Sequence, residues 1–103
     1  MAIEEILSKL KEREIMAAVI TLDGALVSAN FQLSEGLEAH TTSVFNVGDG
    51  ILREAGEEAT DVVVTVDNGN IVLRRNGDNL LVAMIKTKEQ YEYYRQAITD
   101  MGL

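Results

Sequence analysis

The side chains of this chain that could do chemistry are one histidine, many carboxylates, a few arginines and a cluster of tyrosines. His40 is the only histidine. A general base or metal ligand needs a second group beside it, and none stands at helical spacing. Thr41, Thr42 and Ser43 are weak zinc ligands. The carboxylates Glu35, Glu38, Asp49, Glu54, Glu57, Glu58, Asp61, Asp67 and Asp78 fall on expected helix surfaces and turns. There they stay solvated, and no pair is expected to have the raised pKa that acid–base catalysis requires. Gly48-Asp49-Gly50 looks like part of a phosphate loop. It lacks the remaining glycines and the following lysine, so no nucleotide or other cofactor is expected. Arg53, Arg74 and Arg75 could in principle reach into a partner's active site, although ion pairing or solvation explains them as well. Tyr91 and Tyr94 share the inner stripe of the last helix. Tyr93 points elsewhere and is expected at the surface. No catalytic residue and no metal site is expected.

The elements that would position these groups are clear from hydrophobic period. Ile3, Ile6, Leu7 and Leu10 recur at helical spacing over residues 2–12, with acidic residues leading and basic ones trailing. IMAAVITL at 15–22 is nearly continuous apolar sequence, as in a strand covered on both faces. It turns on Asp23-Gly24, expected as a type I′ turn, and returns over 25–30. Ser34 is placed to cap the next helix.

Residues 37–55 carry mixed signals. Thr41-Thr42-Ser43-Val44-Phe45 favours a strand, whereas Leu37, Thr41, Val44, Gly48, Ile51 and Ala55 recur every three or four residues. The period predicts a helix that ends at Gly56. Its apolar arc extends to Phe45 and Leu52 on one flank, with Val47 and His40 on the other. That arc is wider than one sheet face needs, and the extra flank is available to a second subunit. Gly48 and Gly50 predict close approach of another backbone, from the sheet or from a partner helix. Three strands follow, at 60–66, 71–75 and 80–86, turning at 67–70 and 76–79. A helix over 88–101 closes the pattern. The order fits one α+β domain over 1–103, an antiparallel sheet with helices on both faces.

Length and composition set further bounds. The 103 residues suffice for one domain with a modest core. With no cysteine, disulfides and thiolate sites are excluded. A net charge of −8 repels a phosphate backbone and an anionic membrane, so neither nucleic acid nor membrane insertion is expected. No apolar run is long enough to span a bilayer, and Glu4 and Glu5 replace the basic start of a secretory leader. The cytoplasm is the expected location.

Three segments, MAAVITLDGALVSAN at 16–30, SVFNVGDGILREAG at 43–56 and VVVTVDNGNIVLRRNGDNLLVAMIK at 62–86, make the chain resemble the roadblock/dynein light chain family. The resemblance covers about residues 3–101. Longin and profilin-like domains share a related plan. It implies a five-stranded antiparallel sheet, with the long middle helix on one face and the terminal helices on the other. It also implies a dimer, a homodimer or half of a heterodimer, formed by edge pairing of third strands and packing of middle helices. Those positions are Val62, Val63, Val64 and Val66, with Phe45, Val47, Gly48 and Leu52. An apolar edge strand such as VVVTV independently needs a cover. The resemblance further implies a non-enzymatic regulator or scaffold of a Ras-like small GTPase. The competing readings are a longin- or profilin-like monomeric adaptor and a small-molecule sensor.

Overall fold

The computed structural model of the chain describes residues 3–32, 36–56, 60–67 and 69–102. Eight elements follow one another: α1 (Ile3–Lys11), β1 (Met16–Thr21), β2 (Leu26–Ala29), α2 (Leu37–Glu54), β3 (Asp61–Val66), β4 (Gly69–Asn76), β5 (Asn79–Ile85) and α3 (Lys88–Asp100). The strands form one antiparallel sheet in the order β2-β1-β5-β4-β3. Among the described residues, no helix is long and apolar enough to cross a membrane.

Strands β1 and β5 lie inside the sheet and are each buried over four consecutive residues, so they are covered on both faces. Ala17, Val19, Leu81, Ala83 and Ile85 point to one side, where Ile6, Leu7 and Leu10 of α1 and Tyr94, Ala97 and Ile98 of α3 cover them. Ile20, Leu80 and Val82 point to the other, beneath Phe45 and Leu52 of α2. The period-2 alternation of a strand sorts these residues into two cores.

The middle stretch is a helix despite its β-branched residues. Thr41 and Thr42 are buried, and packing on the sheet outweighs their local preference. Gly36 occupies the N-cap with φ 85°, while the expected cap Ser34 lies outside the described residues. Ala55 and Gly56 end the helix by donating to the carbonyls of Leu52 and Arg53 at 2.9 and 3.0 Å, with Gly56 at φ 80°. A Cβ on Gly48 would sit 2.9 Å from Cγ2 of Val62, whereas one on Gly50 would meet nothing within 4 Å. Of the two approaches expected for these glycines, Gly48 makes the one to the sheet.

Two turns differ from expectation. Gly24 has φ 96°, but Asp23 is not in the left-handed region, so the Asp23-Gly24 turn is not type I′. Gly24 N–H donates to the Thr21 carbonyl at 3.0 Å, and Thr21 N–H to that of Ala25 at 2.8 Å. This is a three-residue loop, a tight turn followed by glycine in the left-handed region. The expected 67–70 turn is shorter, since Val66 already pairs with Gly69; Asn68 lies outside the described residues.

Two polar side chains unexpected from sequence lock the layers together. Asn30 accepts from Ala17 N–H at 2.8 Å and donates to the carbonyls of Leu7 and Ile15 at 2.9 and 3.0 Å. Gln90 completes a capping box with Thr87 and donates to the Arg13 carbonyl at 3.0 Å, joining α3 to the end of α1.

Two helical glycines of opposite surroundings give a direct check by urea denaturation. Gly50→Ala should stabilise by about 0.5–1 kcal/mol through helix propensity alone. Gly48→Ala should lose that gain and destabilise by roughly 1 kcal/mol, because β-branched Val62 is stiff and must move. Asn30→Ala should cost about 2–3 kcal/mol by leaving three partly buried backbone groups unpaired.

Candidate functional site

The residues expected at a subunit interface divide into two groups. Phe45 is 1% exposed and belongs to the core of its own chain. It has no area left to bury against a partner, which corrects its assignment to the interface. Leu52 and Val62 are half-buried against the same core, and Gly48 faces Val62. The outward residues of α2 are instead Val44, Val47 and Ile51, with exposures of 40%, 63% and 67%. They recur at three and four residues and form a solvent-facing stripe. Val44 shares a groove of about 160 Å³ with His40 and, on the sheet, Val64 and Ile71. Val44, at one end of the stripe, therefore lies over the sheet close to Val64 of β3 and Ile71 of β4.

Strand β3 is a sheet edge that pairs with β4 alone. Val64 faces the α2 side and is partly buried, while Val63 faces the α3 side and is 53% exposed. The Val66 side chain lies outside the described residues. The opposite edge, β2, is four residues long and its register shifts between Val19 and Ile20. Shortness and irregularity blunt an edge against pairing. β3 is six residues long and pairs in regular register throughout.

The groups considered for chemistry are dispersed. His40 is exposed on the first turn of α2. Asp49 pairs with Arg53 one turn later at 2.7 Å. Arg75 reaches the Gly77 carbonyl at 3.4 Å. Glu54, Asp67 and Asp78 are exposed. Glu35, Glu57 and Glu58 lie outside the described residues, as does the Glu38 side chain. Among the described residues, no three histidine, cysteine or acidic side chains gather as a metal site would require.

A second feature lies on the other face of the sheet. Asp61 and Arg74 are cross-strand partners, and the guanidinium donates to both carboxylate oxygens at 3.2 and 2.9 Å. Beside them a cavity of about 410 Å³ opens between the β3–β4 edge and α3. Tyr94 lines it and is 4% exposed. Its hydroxyl is buried without a hydrogen-bond partner among the described residues. Burial, and then the nearby Asp61 charge, push the phenol well above its usual range, so it stays a neutral O–H donor. The tyrosine assignments change accordingly. Tyr91, expected in the core, is 40% exposed and stacks on Tyr94. Tyr93, expected at the surface, packs against the core with the Arg13 guanidinium 4.7 Å from its ring centre.

The fold has close counterparts among solved structures. A Roadblock/LC7 domain from Streptomyces avermitilis superposes with a TM-score of 0.71 at 16% identity, covering 95% of this chain and 92% of that one. Myxococcus xanthus MglB superposes at 0.75 with 14% identity, covering 98% and 94%. Acanthamoeba castellanii profilin IB superposes at 0.63 with 15% identity, covering 96% and 89%. No protein-family model matches the chain, and no curated protein matches it by sequence. The chain has the α+β fold common to roadblock domains and profilin, as the sequence resemblance implied.

The raised Tyr94 phenol has a pH signature. Above about pH 10 the unfolded chain gives up this proton while the folded chain keeps it. Stability contributed by the neutral phenol is complete below that pH and falls as pH rises beyond it. Urea midpoints measured from pH 8 upward should drop more steeply for the parent than for Tyr94→Phe.

Proposed function

We propose that this chain is a non-enzymatic module of the roadblock type that forms a homodimer and regulates or scaffolds a Ras-like small GTPase. The observation that carries the dimer is the open β3 edge lying beside the exposed Val44, Val47 and Ile51 stripe. Antiparallel pairing of two β3 edges about a two-fold axis satisfies the unpaired backbone groups. It also brings the two α2 stripes together, giving a self-complementary interface. Val62, Val63, Val64 and Val66 remain in the strand proposed to pair, and Val47 is joined by Val44 and Ile51 on the helix.

The GTPase partner comes from the resemblance to roadblock proteins and from the fold shared with MglB. Fold alone does not fix function. A protein acting this way works through a composite surface across the dimer and holds a partner's switch segments in one state. It needs no nucleophile or bound metal of its own. The cytoplasm is the setting this reading requires.

Sedimentation at micromolar concentration should give twice the 11.3 kDa of one chain. Val47→Asp and Ile51→Asp should each weaken association by about thirtyfold or more, roughly 2 kcal/mol, with the circular dichroism spectrum unchanged. Val27→Asp, on the β2 edge, should leave the mass as it is. Capture from native lysate on the immobilised protein, with GDP or a non-hydrolysable GTP analogue, should enrich a Ras-like GTPase in one nucleotide state. The dimer-breaking variants should lose it. A monomeric parent that captures no GTPase would overturn this reading in favour of a profilin-like adaptor.

A further inference from the structure

The cavity beneath α3 is graded from floor to rim. Val72, Tyr94 and Ile98 are buried, whereas Val63 and Tyr91 are half-exposed. Val63 and Val72 are cross-strand partners, so they form one apolar wall on the sheet. Tyr91, Tyr94 and Ile98 follow at three- and four-residue steps along α3 and form the facing wall. The volume of about 410 Å³ lies at the small end of the roughly 300–1,000 Å³ typical of ligand pockets.

The ionised groups around this cavity offer little to a ligand. Arg74 is engaged with both carboxylate oxygens of Asp61 and has a further interaction besides, so it contributes wall and no donor. Arg95 stands at an exposed position, its guanidinium 5.9 Å from the Tyr91 ring centre, where water solvates it. Thr99 donates its proton to the Arg95 carbonyl at 3.0 Å. A charged group carried to the floor would lose its hydration with no dedicated counter-charge to offset the loss.

Tyr94 is the exception. Its hydroxyl is buried and has no hydrogen-bond partner among the described residues, a rare condition in folded proteins. Phenylalanine in its place would fill nearly the same volume and leave nothing unsatisfied. The group this donor lacks is an uncharged acceptor. Tyr91 stacks on Tyr94, with ring centres 6.4 Å apart and planes 20° from parallel, so a flat body entering beside that acceptor meets an aromatic wall.

We propose that the cavity between α3 and the β3–β4 edge binds a small uncharged molecule that joins an aromatic body to one carbonyl. The carbonyl accepts from the Tyr94 hydroxyl. The ring lies between Tyr91 and the Val63–Val72 pair. The site is on the opposite face of the sheet from the α2 stripe, so it goes beyond the proposed dimer and its test does not depend on association.

The test is an amide NMR titration of the full chain with three probes of similar size: acetophenone, ethylbenzene, which lacks the acceptor, and benzoate, which carries a charge. Acetophenone at millimolar concentration should shift resonances of Val63, Val72, Tyr94 and Ile98 in a saturable way. Tyr94→Phe should weaken acetophenone by about two- to tenfold, the range for one neutral hydrogen bond, and leave ethylbenzene unchanged. That contrast separates the hydrogen bond from apolar burial. Tyr91→Ala, at an exposed position, should weaken both. Benzoate should bind at least about tenfold more weakly than acetophenone. Unshifted resonances would overturn the proposal, as would benzoate binding as tightly as acetophenone. So would a Tyr94→Phe protein that gains stability and binds acetophenone as before. Binding of N-acetylphenylalanine amide in preference to acetophenone would overturn it in favour of a protein segment.

Discussion

Two-sided burial of β1 and β5 is the constraint on which the rest of the structure depends. Every residue from Ala17 to Ile20 and from Leu80 to Ala83 is buried. A strand pair apolar on both faces cannot stand at an edge or face water, so it requires a layer above and a layer below. The three helices supply those layers. Helices α1 and α3 share one face, and α2 covers the other alone. The unequal cover explains the shape of α2. It is the longest helix, and Gly48 lets it settle against Val62 near the sheet's far edge.

The same division of labour leaves different surfaces on the two faces. Where two helices cover the sheet, they meet its centre and leave a gap toward β3, lined by Arg74, Asp61 and Tyr94. Where one helix covers it, the outer flank of that helix stays apolar and exposed. The first surface is a cavity lined by polar and apolar side chains, and the second is an exposed apolar stripe.

Much of this was legible in the sequence, because the strongest signals are local. Alternation in VVVTV and LLVAMIK, the continuous run IMAAVITL, the Asn-Gly pairs and the closing Gly56 placed every element to within about two residues. What was not legible depends on which elements meet. The apolar arc of α2 runs unbroken from Phe45 round to Val47, and only the position of the sheet decides that Phe45 faces in and Val47 faces out. Turn type at Asp23-Gly24 depends on register, which skips a residue between Val19 and Ile20. The Asp61–Arg74 pair joins residues 13 apart and needs the β3–β4 register to be seen. Tyr91 and Tyr93 flank the Tyr94 stripe on either side, and α1 packs nearer one of them. The Thr87–Gln90 capping box is a local signal, a threonine followed three residues later by glutamine, that marks the start of α3.

The strand order also carries a consequence for synthesis. β5 is the last strand made, yet it sits in the middle, between β1 and β4. Before residue 85 has left the ribosome, the chain can form two separate hairpins with no hydrogen-bonded link between them. Each then offers an unpaired inner edge, β1 on one and β4 on the other, to any strand that arrives first. Synthesis at roughly 5–20 residues per second is far slower than hairpin formation, so both hairpins wait for β5 to be made. The period between the making of β4 and the docking of β5 is therefore when the inner strand edges are most open to mispairing.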